Sequence, residues 1–185
     1  MSDTAAAVYA ATAETRAKPP EAVRARIVAL AFGGDAARYE QFVATLRAAI
    51  PPDVGVVLRG SVVIGCRWTD GAPFDADGPG TSDLDLTLVG GDMLKLFDEF
   101  HIPGLHSVPM GEDHPDAAPA LLPLRRTLCA LAGRPVNIQA TSDFVQYARD
   151  VVMDQPYFTL LEKAEQGEER ARAAEGAVDD ARAAG

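Results

Sequence analysis

Residues Leu84-Asp-Leu-Thr-Leu-Val89 alternate apolar and polar side chains, and this period of two constrains the fold more than any other stretch. In extended backbone, successive side chains leave opposite faces. Leu84 and Leu86 therefore point into a core, while Asp83 and Asp85 share the opposite face, roughly 6.6 Å apart along the strand. Two other segments read as strands. Val54–Leu58 is a short valine-rich run between turn formers, and Arg134–Ala140 again alternates, with Asn137 between Val136 and Ile138.

Helical spacing fills much of the remainder. From Glu21, Val23, Ile27, Leu30 and Ala31 fall on one face, and Gly33-Gly34 ends that helix. Asp35 caps a second helix to about Ile50, with Tyr39, Phe42, Val43 and Leu46 on one side. Residues 68–82, crowded with Gly, Pro and Asp, form a loop. Asp92 caps a helix containing Met93, Leu94, Leu96, Phe97 and Phe100, and an irregular stretch runs from about His101 to Pro119. An apolar helix over 120–132 stops at Gly133. Thr141 or Ser142 caps a last helix through about Met153, broken at Gln155-Pro156. The expected fold is a small mixed α/β domain of the α+β kind, its sheet flanked by helices. Residues 1–20 read as a small-residue lead-in, 21–161 as the domain, and 162–185 as a charged Ala/Glu-rich tail.

A chain of 185 residues suits one domain. Its formal charge of −10 opposes a protein that grips long nucleic acids by their phosphates, since that needs clustered cations. It still admits a small anionic substrate that arrives with a metal ion. Cys66 and Cys129 lie far apart, outside any CxxC spacing, which suits a reduced compartment. No apolar run approaches the ~20 residues of a membrane span. The first fifteen residues lack a basic segment and a strong apolar one, so the expected location is cytoplasmic.

Two carboxylates converging on one strand face repel each other, and a hard cation such as Mg²⁺ (or Mn²⁺) relieves that repulsion. Gly60-Ser61, directly after the first strand, supplies a complement. Glycine permits close approach to a phosphate, and the serine hydroxyl can donate to phosphate oxygens. A helical turn from Ser61 through Gly65 would add free amides. A phosphate cradle beside metal-binding carboxylates is equipment for nucleotidyl transfer.

Leu-Arg-Gly-Ser at 58–61 followed by Ser-Asp-Leu-Asp-Leu-Thr-Leu at 82–88 resembles the signature of the DNA polymerase beta-like nucleotidyltransferase superfamily. The likeness covers about 54–140. It implies transfer of a nucleoside monophosphate from an NTP to an acceptor hydroxyl, with release of pyrophosphate. By the same resemblance Asp83 and Asp85 would be catalytic and hold Mg²⁺, Gly60 and Ser61 would hold phosphates, and Ser82 would be a turn residue or a supporting partner. The acceptor is open, a protein side chain or small molecule being favoured over a nucleic acid, and minimal members often pair with a small helical protein.

Two departures stand out. Twenty-one residues separate Ser61 from Asp83, more than the superfamily usually has, and the loop insertion accommodates them. The superfamily's third carboxylate aligns with Asn137, which can ligate through its amide oxygen but adds no charge. Asp143 lies nearby, on a helix cap. A catalytically impaired binding or regulatory module is therefore the alternative, and a glycosyltransferase using Asp83-Leu-Asp85 to hold a sugar nucleotide is a remoter one.

Other residues carry plainer readings. Arg67, Arg125 and Arg126 could clamp a triphosphate, although arginines at helix ends usually meet solvent. His101, His106 and His114 match no zinc spacing and read as solvated loop residues. Trp68 and Phe74 could stack on a base, but packing of the loop onto the domain is the simpler expectation.

Overall fold

The structure, a computed structural model, describes residues 3–164. Its strands are β1 (Gly55–Arg59), β2 (Leu84–Val89), β3 (Phe100–Ile102), β4 (His106–Ser107), β5 (Val136–Thr141) and β6 (Phe158–Leu161). They form one mixed sheet in the order β3-β4-β5-β2-β1-β6. β2 runs antiparallel to β1 and parallel to β5. The α+β class expected from the sequence is observed.

Register follows from alternation. Leu84, Leu86 and Leu88 are fully buried on one face with Leu58, Val136 and Ile138. Helices α2 (Pro20–Phe32), α3 (Ala36–Ala49) and α6 (Leu122–Ala132) contribute Ile27, Phe32, Phe42, Leu46 and Leu128 to the same core. The Phe32 ring meets Tyr39 and Phe42 edge-on at 5.5 and 5.4 Å. Across the sheet, Asp85 pairs with Asn137 and Thr87 with Gln139 on β5, while Arg59 pairs with Asp85 on β1. The face away from the core is thus mainly polar, with Val57 and Val89 at one end.

Asp35 caps α3, its carboxylate accepting from the Arg38 amide at 3.0 Å. Asp35→Ala is expected to cost about 1 kcal/mol and lower the thermal midpoint by roughly 2–4 °C, read by calorimetry.

Four elements differ from the sequence expectation. Residues Asp3–Ala17 form helix α1 rather than a lead-in, burying Val8 against Ile64 and Cys66. Alanine favours helix without offering large side chains, so no apolar stripe marks it. The helix expected from Asp92 to Phe100 is a single turn, α5 (Gly91–Leu94), whose N-cap is Gly90; Asp92 lies inside it, paired with Lys95. The chain then leaves helical geometry because Phe100 pairs with Ser107 in the β3–β4 hairpin. The irregular stretch 101–119 consequently contains strand, including a bridge from Met110 to Ile138. The last helix is α7 (Asp143–Tyr147) followed by a π-helical turn (Ala148–Val152), and β6 then adds an edge strand. Of the expected tail, residues from 165 onward lie outside the described residues. Among the described residues no helix is long and apolar enough to cross a membrane.

Candidate functional site

Gly60 ends β1 with φ +74° and opens a one-turn helix, α4 (Ser61–Ile64). That helical turn at Ser61 is the one expected from the sequence. The glycine is required, since a Cβ there would stand 2.6 Å from Asp85 Oδ2. On the far side Asn137 is held similarly close, for a Cβ on Gly111 would lie 2.6 Å from its Oδ1. The Met110–Ile138 bridge, with Met110 N–H donating to Ile138 O at 2.7 Å, fixes Gly111 there.

Between these two backbone walls stand the three polar side chains. Asn137 Nδ2 donates to Asp83 Oδ2 and, at 3.2 Å, to Asp85 Oδ1. The amide thus bridges the two carboxylates. Burial foremost, and then the charge of Asp83, push the Asp85 carboxyl above its ordinary range, while Asn137, Arg59 and Arg149 pull the other way.

These groups line one cleft of about 460 Å³ with Gly60, Ser61 and Ser82. A volume of this size is ordinary for a small-molecule site. The structure therefore brings Gly60, Ser61, Ser82, Asp83, Asp85 and Asn137 together. Ser82 is the one whose hydroxyl is already engaged: its Oγ accepts from the Asp75 amide at 2.8 Å, so it fastens the loop rather than standing free.

Arg67 and Trp68 line the cleft too. Arg67 is ion-paired with Asp70 and Asp77. Arg125 and Arg126 are not among the lining residues. Arg125 Nε donates to Val136 O at 2.7 Å and so fastens α6 to β5. Phe74 is buried and faces the Arg134 guanidinium at 4.6 Å, which is the packing role expected for it. Asp143 sits at the start of α7, ion-paired with Lys163 away from this cleft.

Glu112 and Asp113 share the histidine loop and read from the sequence as solvated loop residues, yet both line the cleft. Only the strand bridge at Met110 carries them there, and a single-residue bridge has no sequence period to reveal it. The histidine expectation also needs correction. His114 pairs with Glu99 on the surface, but His106 is buried, its Nε2 against the Arg149 guanidinium, and burial followed by that charge lowers its pKa to about 4.

Beside the cleft lies a second polar layer. With its amide oxygen turned inward, Gln139 accepts from Thr87 Oγ1, Arg59 and Arg149. Arg59 Nε also donates to Thr87 Oγ1 at 2.9 Å. Burial first, and then Arg149, lower the Arg59 pKa to about 10. Two guanidiniums thus stand on the same sheet face as Asp85 and contribute positive potential to it.

Four carboxylates face the cleft, against one arginine already engaged by two aspartates. A polyphosphate would meet net repulsion there without a cation. Among the described residues no group of three or more His, Cys, Asp or Glu could hold a metal. The oxygen donors that meet one another are the Asp83 and Asp85 carboxylates and the Asn137 amide. No family model, curated protein or solved structure matches this chain.

Proposed function

We propose that this chain is a metal-dependent nucleotidyltransferase, similar to the DNA polymerase beta-like superfamily, moving a nucleoside monophosphate from an NTP to an acceptor hydroxyl. The observation that supports this reading is the meeting of Gly60-Ser61, Asp83, Asp85 and Asn137 in one cleft. The donor set fits one Mg²⁺ or Mn²⁺. Asp83 and Asp85 would hold it, and Asn137 would turn its amide oxygen inward. Such an ion supplies charge neutralisation for the triphosphate and acidity for the attacking hydroxyl.

The chain's own groups do the rest. Ser61 hydroxyl and the Gly60 backbone receive phosphate oxygens, and the close approach at Gly60 fixes the Asp85 carboxylate beside them. Trp68, half-exposed at the cleft wall, offers a face for the base. The acidic lining favours a protein side chain or small molecule as acceptor over a nucleic acid.

A second reading rests on the amide bridge. Because Asn137 donates to both carboxylates, the pair is hydrogen-bonded without a metal, as a binding or regulatory module would allow. The deciding experiment incubates the chain with each α-labelled NTP, Mg²⁺ or Mn²⁺ and cell lysate, then follows label transfer. Transfer supports the enzyme; nucleotide binding with no transfer to any acceptor favours the module.

Asn137→Asp separates the two further. A third carboxylate adds like charge to an already repelling group, so the metal-free protein should lose stability. Apparent Mg²⁺ affinity should rise about tenfold, some 1.4 kcal/mol, measured as the thermal shift against Mg²⁺ concentration. An unchanged Mg²⁺ response would place the ion elsewhere.

A further inference from the structure

Helix α7 and the π-helical turn after it are amphipathic in the inverted sense. Gln146, Arg149 and Asp150 face the protein. Arg149 reaches His106 and Gln139 on the sheet, and Asp150 pairs with Arg16 of α1 at 2.9 Å. Gln146 is buried with neither amide atom hydrogen-bonded. Val145 is buried, but their other large apolar residues face outward. Phe144, Tyr147, Val151, Val152 and Met153 are 59–74% exposed, and Tyr157 follows at 38%. The reason lies in the sheet, whose outer face is lined by Arg59, Asp85, Thr87, Asn137 and Gln139. A segment crossing that face must turn its polar side inward, and its greasy side is left in water.

Single exposed apolar residues are ordinary, but six in fourteen positions, three of them at helical spacing, are not. From these exposures the uncovered side chains present on the order of 600–700 Å². Roughly 800 Å² per partner makes a standard stable interface. Matched by an equal patch, this one would bury about 1,200–1,400 Å² in total, at the lower end of the standard range.

We propose that a second copy of this chain covers this face, α7 and its π-helical turn packing against their symmetry mates across a two-fold axis. Charge points to a second copy. Each chain carries −10, so most approaches of two copies are repulsive. At this face the rim acids are partly compensated from within: Asp143 pairs with Lys163, while Asp150 and Asp154 share the single charge of Arg16. Two copies meeting here set far less uncompensated charge against each other than the −10 of each whole chain. An isologous contact also doubles one patch into a complete interface.

The test is sedimentation equilibrium of the full chain over roughly 5 to 500 µM. The expected species has twice the 19.5 kDa chain mass, and its association tightens as NaCl rises from about 0.05 to about 0.5 M, because salt screens the repulsion between like-charged chains. Val152→Asp, at a side chain 74% exposed, should leave the fold intact and weaken association at least tenfold. Ala44→Asp, on the exposed side of α3, adds the same charge elsewhere and should leave it unchanged. A monomer throughout the range overturns the proposal. So does a dimer indifferent to Val152→Asp, or one that salt dissociates, as a charge-driven contact would be.

Discussion

Asp85→Asn should reduce label transfer by about 10³-fold, some 4 kcal/mol of lost transition-state stabilisation, with Asp83→Asn close behind. Each substitution keeps shape and hydrogen-bonding capacity while removing one of the two charges that would hold the ion. The Mg²⁺-induced rise in thermal midpoint should vanish with it. Because Asp85 is fixed between the Gly60 backbone and the Asn137 amide, the substituted side chain has nowhere to move, and circular dichroism should match the parent. Transfer that persists in both variants would remove the cleft from consideration as the reaction site.

The second large effect concerns the inserted loop. Asp75 accepts from the amides of Gly80 and Ser82 at 3.0 and 2.9 Å, and from Arg134 Nη1 and Nη2 at 2.9 and 3.0 Å. Arg134 is only 7% exposed and also donates to the carbonyls of Leu30 and Ala31, so one guanidinium ties loop, α2 and sheet together. Asp75→Asn keeps a side chain that tolerates the left-handed backbone at φ +59°, while it removes the charge and replaces one of the two acceptor oxygens with a donor. A buried arginine without its carboxylate costs about 3 kcal/mol, which lowers the midpoint by roughly 6–12 °C.

The same contact sets an acid limb. Burial opposes it, yet Arg134 and the two loop amides hold the Asp75 pKa at about 2, below the ordinary 3.8. A carboxyl depressed in the folded state stabilises the protein above the unfolded value and loses that contribution as pH falls through the folded one. About 2 kcal/mol should therefore disappear between roughly pH 4 and pH 2. Over the same interval the difference between parent and Asp75→Asn should narrow. A gap that stays constant to pH 2 would mean that the charge contributes nothing.

The centre of the fold was legible because its code is local. Alternation in Leu84–Val89 set both the buried leucines and the acidic face, and Gly60-Ser61 announced a turn that the Asp85 carboxylate makes obligatory. What escaped depends on contacts distant in sequence. Helix α1 has too few large side chains to show a stripe, and β6 is four residues wedged between Pro156 and a charged stretch. Glu112 and Asp113 reach the cleft through one strand bridge, and nothing in their own neighbourhood foretells it. The outward apolar face of α7 follows from the polarity of a sheet that is assembled from three separate segments.

Parallel pairing of β2 with β5 joins Asp85 to Asn137, 52 positions apart in the chain. Local collapse cannot supply such a contact, because the closure entropy of the whole crossover must be met before the strands reward it. A slip of one position would turn Asn137 toward the leucines and Ile138 toward the aspartates, so partial alignment has no functional halfway state. The amide that bridges the two carboxylates arrives only when β5 docks beside β2, and the cleft belongs to molecules in which that pairing is complete.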